Sequence, residues 1–363
     1  MGRAIHNNSI TIAKAIGIIL MVVGHAGCPQ FLFDFIYLFH MPLFFFCSGI
    51  FFKEITTTES AFGYLKKRIR GLYIPFLKWS ILFLLLHNLL MLVGIYNPYY
   101  GFEGGSSYYS ITEIFQKLFL IVFTMHDYEE LLGGFWFLRA LFISSLLIAV
   151  VSLLFRKKMS FKYELVCLLF LFLTIVIRRF AANPEFWRDM SMGALGAMFY
   201  MSGYLSKQYD HIWRNRLGII LCFIFLCVSW FYFKEGVSMG CGYNKVVIFS
   251  VSAISGSLLI LYLSKLIEDN VAVVRNALYY IGNHTLEILA LHFFTFRLVS
   301  CGICLLYGLD LAHVAEHPVV KEGSADNSFW WILYVVVGVV VPLFINKVWQ
   351  FSVNAIKERK VCR

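Results

Sequence analysis

Lys14 and His25 lie eleven residues apart in the otherwise apolar stretch Thr11–His25. In a helix, eleven steps of 100° return to within about 20° of the same face and rise about 16 Å. One face would then carry an ammonium near one end and an imidazole near the other. Ionisable groups inside apolar helices are expensive and by default mark function. A snorkelling lysine or an interfacial histidine would explain either residue alone, but the shared face favours a site. Imidazole has an unperturbed pKa of about 6.5, so His25 is suited to general-base work near neutral pH. It can equally serve as a nucleophile.

Other segments add chemistry of the same kind. His40 precedes Pro42 in Phe39–Gly49, where Pro42 frees a backbone carbonyl and Ser48 with Gly49 allows close helix approach. His40 is either a site residue or a capping donor. Trp136, Arg139, Glu287 and His292 also sit in or beside apolar runs, with Thr285 and His292 on one helical face and Glu287 pointing elsewhere. His87 and Asn88 are weaker candidates. Several such residues together imply a polar pocket inside the bundle. The run from Lys66 through Lys67, Arg68 and Arg70 to Pro75 reads as a basic loop. Arginine forks bind phosphate, although composition alone favours ordinary loop charge. No metal-ligand set, P-loop or G-x-S-x-G is present, so no metal is expected. Cys301 and Cys304 have redox spacing but lie in an apolar run, where helix packing explains them better.

The elements that must position these residues follow from composition. The 363-residue chain is 60% hydrophobic and 14% charged, against about 25% charged in ordinary soluble domains. That excludes a soluble globule, a disordered chain and a disulfide scaffold. The expected fold is all-α, a polytopic membrane bundle forming one domain over 1–363. Apolar segments fall at roughly 9–27, 35–52, 72–95, 135–155, 163–178, 190–206, 217–233, 246–265, 277–300 and 329–350. With both termini cytoplasmic, 19 of the 31 Lys and Arg residues fall inside and seven outside, as the positive-inside rule requires. The net charge of +10 therefore reflects topology, and no nucleic acid is expected as a partner. Arg178, Arg179 and Arg188 cluster in an outside loop, where they would attract an anionic acceptor, the competing explanation being that the short fifth span is mis-threaded. In Ile111–His126, Ile111, Ile114, Phe115, Leu118 and Val122 share a face opposite Thr112, Glu113, Gln116 and Lys117. That pattern predicts a non-spanning interfacial helix on the outer side.

Four stretches together resemble acyltransferase family 3, the polytopic membrane O-acyltransferases, and most nearly its fucose 4-O-acetylase-like branch. They are Ile12–Ile16 leading to Gly24-His25, Phe39–Phe46 with Ser48-Gly49, Trp136–Leu138, and Ile281–Asn283 leading to His292. The basic run ending in Arg70 is similar to the family's Arg-x-x-Arg element, with Lys67 at its first position. The resemblance implies about ten transmembrane helices, a cytosolic acyl-CoA donor and a sugar hydroxyl as acceptor. It assigns catalysis to His25 with Lys14, the latter standing where arginine is more widespread.

On this reading the protein is an O-acyltransferase of a plasma membrane, expected to be a bacterial inner membrane. It would move an acyl group, acetyl by resemblance, from acetyl-CoA to a cell-surface carbohydrate or its lipid-linked precursor. Lys67, Arg68 and Arg70 would hold the CoA phosphates, and His40, Ser48, Trp136, Arg139, Glu287 and His292 would shape the pocket. The competing class is a polysaccharide-precursor transporter or flippase, for which polar residues in spans also suit but which lacks a visible inverted repeat.

Overall fold

A computed structural model describes residues 7–102, 104–155, 161–180, 185–210, 215–232, 238–239, 245–321 and 329–361. Arg3, Arg156, Lys157, Lys158, Arg214, Lys234 and Arg363, used in the charge count, lie outside the described residues. The chain folds into an all-helical bundle. Among the described residues, seven helical stretches are long and apolar enough to cross a membrane. They cover 8–25, 30–50, 58–92, 136–154, 246–270, 285–307 and 330–355.

The first span is α1 (Asn7–His25), which ends at His25. The second is broken in two, α2 (Gln30–Tyr37) and α3 (His40–Ile50), with the break at Leu38-Phe39. Pro42 therefore lies in the first turn of α3, where a proline is tolerated, and the interruption precedes His40 instead of following it. Gly49 of α3 abuts the backbone of Tyr200, and Gly203 abuts that of Phe46, so closely that a Cβ at either would collide with a carbonyl. This contact joins α3 to α9 (Glu185–Leu205). It is the close approach that Ser48-Gly49 predicts.

The basic run is not a loop. A capping box between Thr57 and Ser60 starts α4 (Thr58–Arg68), and a π-turn at Ile69–Tyr73 passes without interruption into α5 (Ile74–Leu92). Pro75 sits in the first turn of α5, where its missing N–H costs little. A single turn of π-helix inside an α-helix shifts the register of all that follows. Here it orients Tyr73, whose hydroxyl donates to Val122 O at 2.7 Å.

That contact ties down α6 (Ile111–Thr124), opened by the Ser110–Glu113 capping box. The single apolar face read from sequence divides into two. Ile114, Leu118 and Ile121 are turned inward, whereas Ile111, Phe115, Phe119 and Phe123 form an exposed stripe. The helix ends at Met125, a buried residue in the left-handed region at φ 53°.

The remaining helices are α7 (Trp136–Leu154), α8 (Lys162–Phe180), α10 (Arg216–Tyr232), α11 (Val246–Asn270), α12 (Ala272–Asn283), α13 (Thr285–Tyr307) and α14 (Trp330–Val361). The segment 277–300, read as one span, is interrupted at His284. Its first part belongs to α12, which lies against α1, and the membrane-length helix is α13. Within the bundle α1 contacts α3, α11, α13 and α14, while α7, α8 and α9 pack together.

Candidate functional site

A cavity of about 840 Å³ lies where α1, α3, α7, α9 and α13 meet the segments around 96–134 and 317–318. His25, His40, Trp136 and Arg139 line it. His292 stands directly behind His25 and is fully buried.

The hydrogen bonds assign proton positions on this pair. His292 Nδ1 lies 3.1 Å from Ile288 O and 3.0 Å from Leu289 O. Carbonyl oxygens only accept, so Nδ1 carries the proton and Nε2 is left as an acceptor. His25 Nδ1 lies 3.0 Å from that Nε2 and must donate to it. The lone pair of His25 is thereby placed on Nε2. Phe293 stacks against the His25 ring at a centroid distance of 4.8 Å. His40 is fixed in the same way, its Nδ1 3.0 Å from Ile36 O, with Tyr37 edge-on at 4.6 Å.

A second group of polar side chains forms another wall. Arg139, 8% exposed, has Asp189 at 3.3 Å, Asp127 at 3.7 Å and Glu185 at 3.9 Å. His126 lies 3.2 Å from Glu185, and Arg188 lies 3.7 Å from the same carboxylate. Burial raises the Asp127 carboxyl to about 6, against the opposing pull of Arg139. Nearby, His87 places Nδ1 3.0 Å from Glu129 Oε2 and Nε2 3.0 Å from Ser107 O. Tyr109 stacks on it at 3.5 Å, and Asn88 holds the backbone of Tyr109 through both N–H and C=O. Trp136, Tyr37, Tyr109 and Tyr128 add aromatic surface to the cavity.

Arg297 of α13 pairs with Glu130 beside the site at 3.0 Å, with 3% and 9% of their side chains exposed. Arg297 also donates to Val314 O and Glu316 O.

The other residues expected to act do not line this cavity. Ser48 donates to Phe44 O within its own helix at 2.9 Å. Glu287 is half-buried in the first turn of α13, and Lys14 is half-buried on α1. Lys67 and Arg70 are exposed. Arg68 donates to the Tyr200 hydroxyl and lies over the rings of Tyr64 and Tyr200, 5.0 and 5.4 Å from their centroids. Tyr200 is eleven residues beyond Asp189 on α9, so this group stands about 16 Å from the cavity along the helix. Lys162 and Lys207 join it: Lys162 lies 5.1 Å over Tyr163, and Lys207 4.7 Å over Tyr204. Phe52 packs against Tyr64, Tyr200 and Tyr204 in the middle. Sequence reading singled out neither lysine for this role.

It also missed Asp127, Glu129, Glu185, Asp189, His126 and His317 of the cavity wall. Two signals were available. His126-Asp-Tyr-Glu-Glu130 concentrates acidic residues in one short segment, and Glu185 and Asp189 are spaced four apart on one helix face.

The fold and this cavity define a polytopic helical membrane protein with an enclosed histidine pair. The chain belongs to acyltransferase family 3: the family model described as an acyltransferase domain matches residues 7–347. It is therefore a membrane acyltransferase. No curated protein and no solved structure matches the chain.

Proposed function

We propose that the protein transfers an acetyl group from cytosolic acetyl-CoA to a hydroxyl of a cell-surface carbohydrate or its lipid-linked precursor, with His25 as general base. The carrying observation is the hydrogen bond from His25 Nδ1 to His292 Nε2, anchored on the Ile288 and Leu289 carbonyls. It fixes the tautomer and orientation of the base, much as a carboxylate does in other base-orienter pairs. Nε2 of His25 takes the acceptor proton as the oxygen attacks the thioester carbonyl carbon. The proton then returns to the departing CoA sulfur as the carbon–sulfur bond breaks.

The cavity wall suits a polyol. Carboxylates accept hydrogen bonds from hydroxyl groups, Arg139 donates them, and aromatic faces cover the apolar side of a sugar ring. On the donor side, Arg68 with Lys67 and Arg70 is assigned to the CoA phosphates. The distance of about 16 Å from that group to the cavity is spanned by the extended pantetheine arm. The test is incubation of the purified protein in lipid discs with acetyl-CoA and isolated envelope glycan. The reading predicts CoA release that depends on the glycan, with a matching alkali-labile acetyl ester on it. Glycan movement across the membrane without CoA release would support a transporter instead.

A further inference from the structure

His317 lines the cavity but differs from the other histidines there. His25, His40, His87 and His126 each have a ring nitrogen within hydrogen-bond distance of a partner. His317 Nδ1 is buried and has no hydrogen-bond partner among the described residues. A buried polar nitrogen left unpaired carries its full desolvation penalty and calls for an explanation. Two aromatic rings pack against it, Phe102 edge-on at 5.5 Å and Phe293 at 4.5 Å. Phe293 is the same ring that stacks on His25 at 4.8 Å. His317 and His25 are therefore gathered around one side chain at the cavity wall.

The segment that carries His317 is fixed in place. Asn97 donates to Ala312 O at 2.7 Å, Arg297 donates to Val314 O and Glu316 O, and Glu316 accepts the Lys321 N–H at 2.6 Å. An ordered segment thus presents a histidine whose Nδ1 is buried without a hydrogen-bond partner among the described residues.

With Nδ1 shut off from the cavity, the geometry points to His317 as a second catalytic residue, its Nε2–H donating a hydrogen bond to the thioester carbonyl oxygen as it becomes the oxyanion. This rests on the reading of His25 as the base. When the acceptor oxygen bonds to the carbonyl carbon, the carbonyl electron pair moves to oxygen, and the His317 N–H stabilises that charge. As the tetrahedral centre collapses the pair returns, the carbon–sulfur bond breaks, and the sulfur takes its proton from His25. His317 keeps its own proton throughout. Burial, together with Arg297, His292 and Lys321, holds His317 down at about 3, so the ring is neutral at working pH. A neutral imidazole is a hydrogen-bond donor that adds no net charge to the site.

The test compares His317→Ala, His317→Phe and His317→Gln with His25→Ala, in steady-state transfer from acetyl-CoA to envelope glycan. Removing one oxyanion donor typically costs about 10²–10³ in kcat. We expect that loss in His317→Ala and His317→Phe, with both KM values within about threefold of wild type. His317→Gln, which keeps an N–H donor, should recover part of the rate. The plateau of the pH–rate profile should fall without movement of its lower limb. Full activity in His317→Phe would assign the ring to packing and overturn the inference. A rise in acceptor KM with unchanged kcat would overturn it too, making His317 a binding group. If His25→Ala is inactive while His317→Ala is not, this inference alone fails. If His25→Ala is active, the reading beneath it fails.

Discussion

His25 Nδ1 and His292 Nε2 lie 3.0 Å apart although the residues are separated by 267 positions in the chain. On the proposed reading the first transmembrane helix supplies the reactive ring, and α13 supplies the group that orients it. His292 is fully buried. Its proton is fixed by two backbone carbonyls of its own helix, so the direction of the whole relay is set by backbone geometry.

This relay makes His292 a positioning residue with a measurable role. His292→Ala should lower kcat about 10²-fold, the scale on which orienting partners usually act, and leave the KM for acetyl-CoA unchanged. His292→Phe should do the same while filling the space. Transfer at the wild-type rate in both variants would remove His292 from the account.

A second prediction concerns stability. Breaking a buried ion pair by removing one partner costs about 3–5 kcal/mol, because the other charge is left uncompensated. Arg297→Met should therefore destabilise the protein by roughly that amount, and Glu130→Leu likewise. The double variant Arg297→Met/Glu130→Leu should lose less than the two single losses combined. Denaturation of the three variants in detergent, with wild type alongside, reads this directly. Additive losses would show that the pair is not coupled.

Asp127 gives a pH dependence with a definite sign. Its carboxyl is raised to about 6 from 3.8 in the unfolded chain, so between these values the folded state binds more protons. Stability from this group is fully present below about pH 4 and falls as pH rises through 6, by roughly 3 kcal/mol in all. Asp127→Asn removes the titration. The difference in thermal stability between variant and wild type should therefore grow in favour of Asp127→Asn from pH 4 to pH 7. A constant difference over that range would mean that Asp127 does not titrate there.

The donor end makes a kinetic prediction. Arg68→Gln and Arg70→Gln should each raise the KM for acetyl-CoA, since charge-assisted contacts are worth about 1.5–3 kcal/mol, or roughly tenfold or more. The acceptor KM should stay the same. Unchanged donor KM in both variants would return these residues to the role of a topology signal.

How far the sequence revealed this arrangement depended on the range of the interaction. The Lys14–His25 spacing is local, and α1 follows it to its last residue. The Ser110–Glu113 cap is equally local, and so is the close approach at Gly49. The break at His284 was hidden because the apolar pattern runs on through Tyr279, Tyr280 and Ile281. These residues belong to α12, which lies against α1 instead of continuing into the span. The π-turn left no mark in the residue pattern, so a basic helix read as a loop. Of the cavity wall, Trp136, Arg139, His25 and His40 were found because polar residues stand out in apolar helices. Asp127, Glu130 and His317 lie in connecting segments, where polar residues are ordinary. Glu130 is set apart only by Arg297, 167 positions away, Asp127 by Arg139 on the helix that follows, and His317 by a buried Nδ1 without a hydrogen-bond partner among the described residues.

The most direct test of the account is single-turnover transfer by His25→Ala with acetyl-CoA binding measured on the same preparation. Loss of a general base costs about 10²–10⁴-fold in rate, while ground-state affinity for the donor should be kept, because the imidazole acts in the transition state. The account predicts normal acetyl-CoA binding with transfer reduced by at least that lower factor. Near-normal transfer by His25→Ala would contradict it and move the base elsewhere in the cavity.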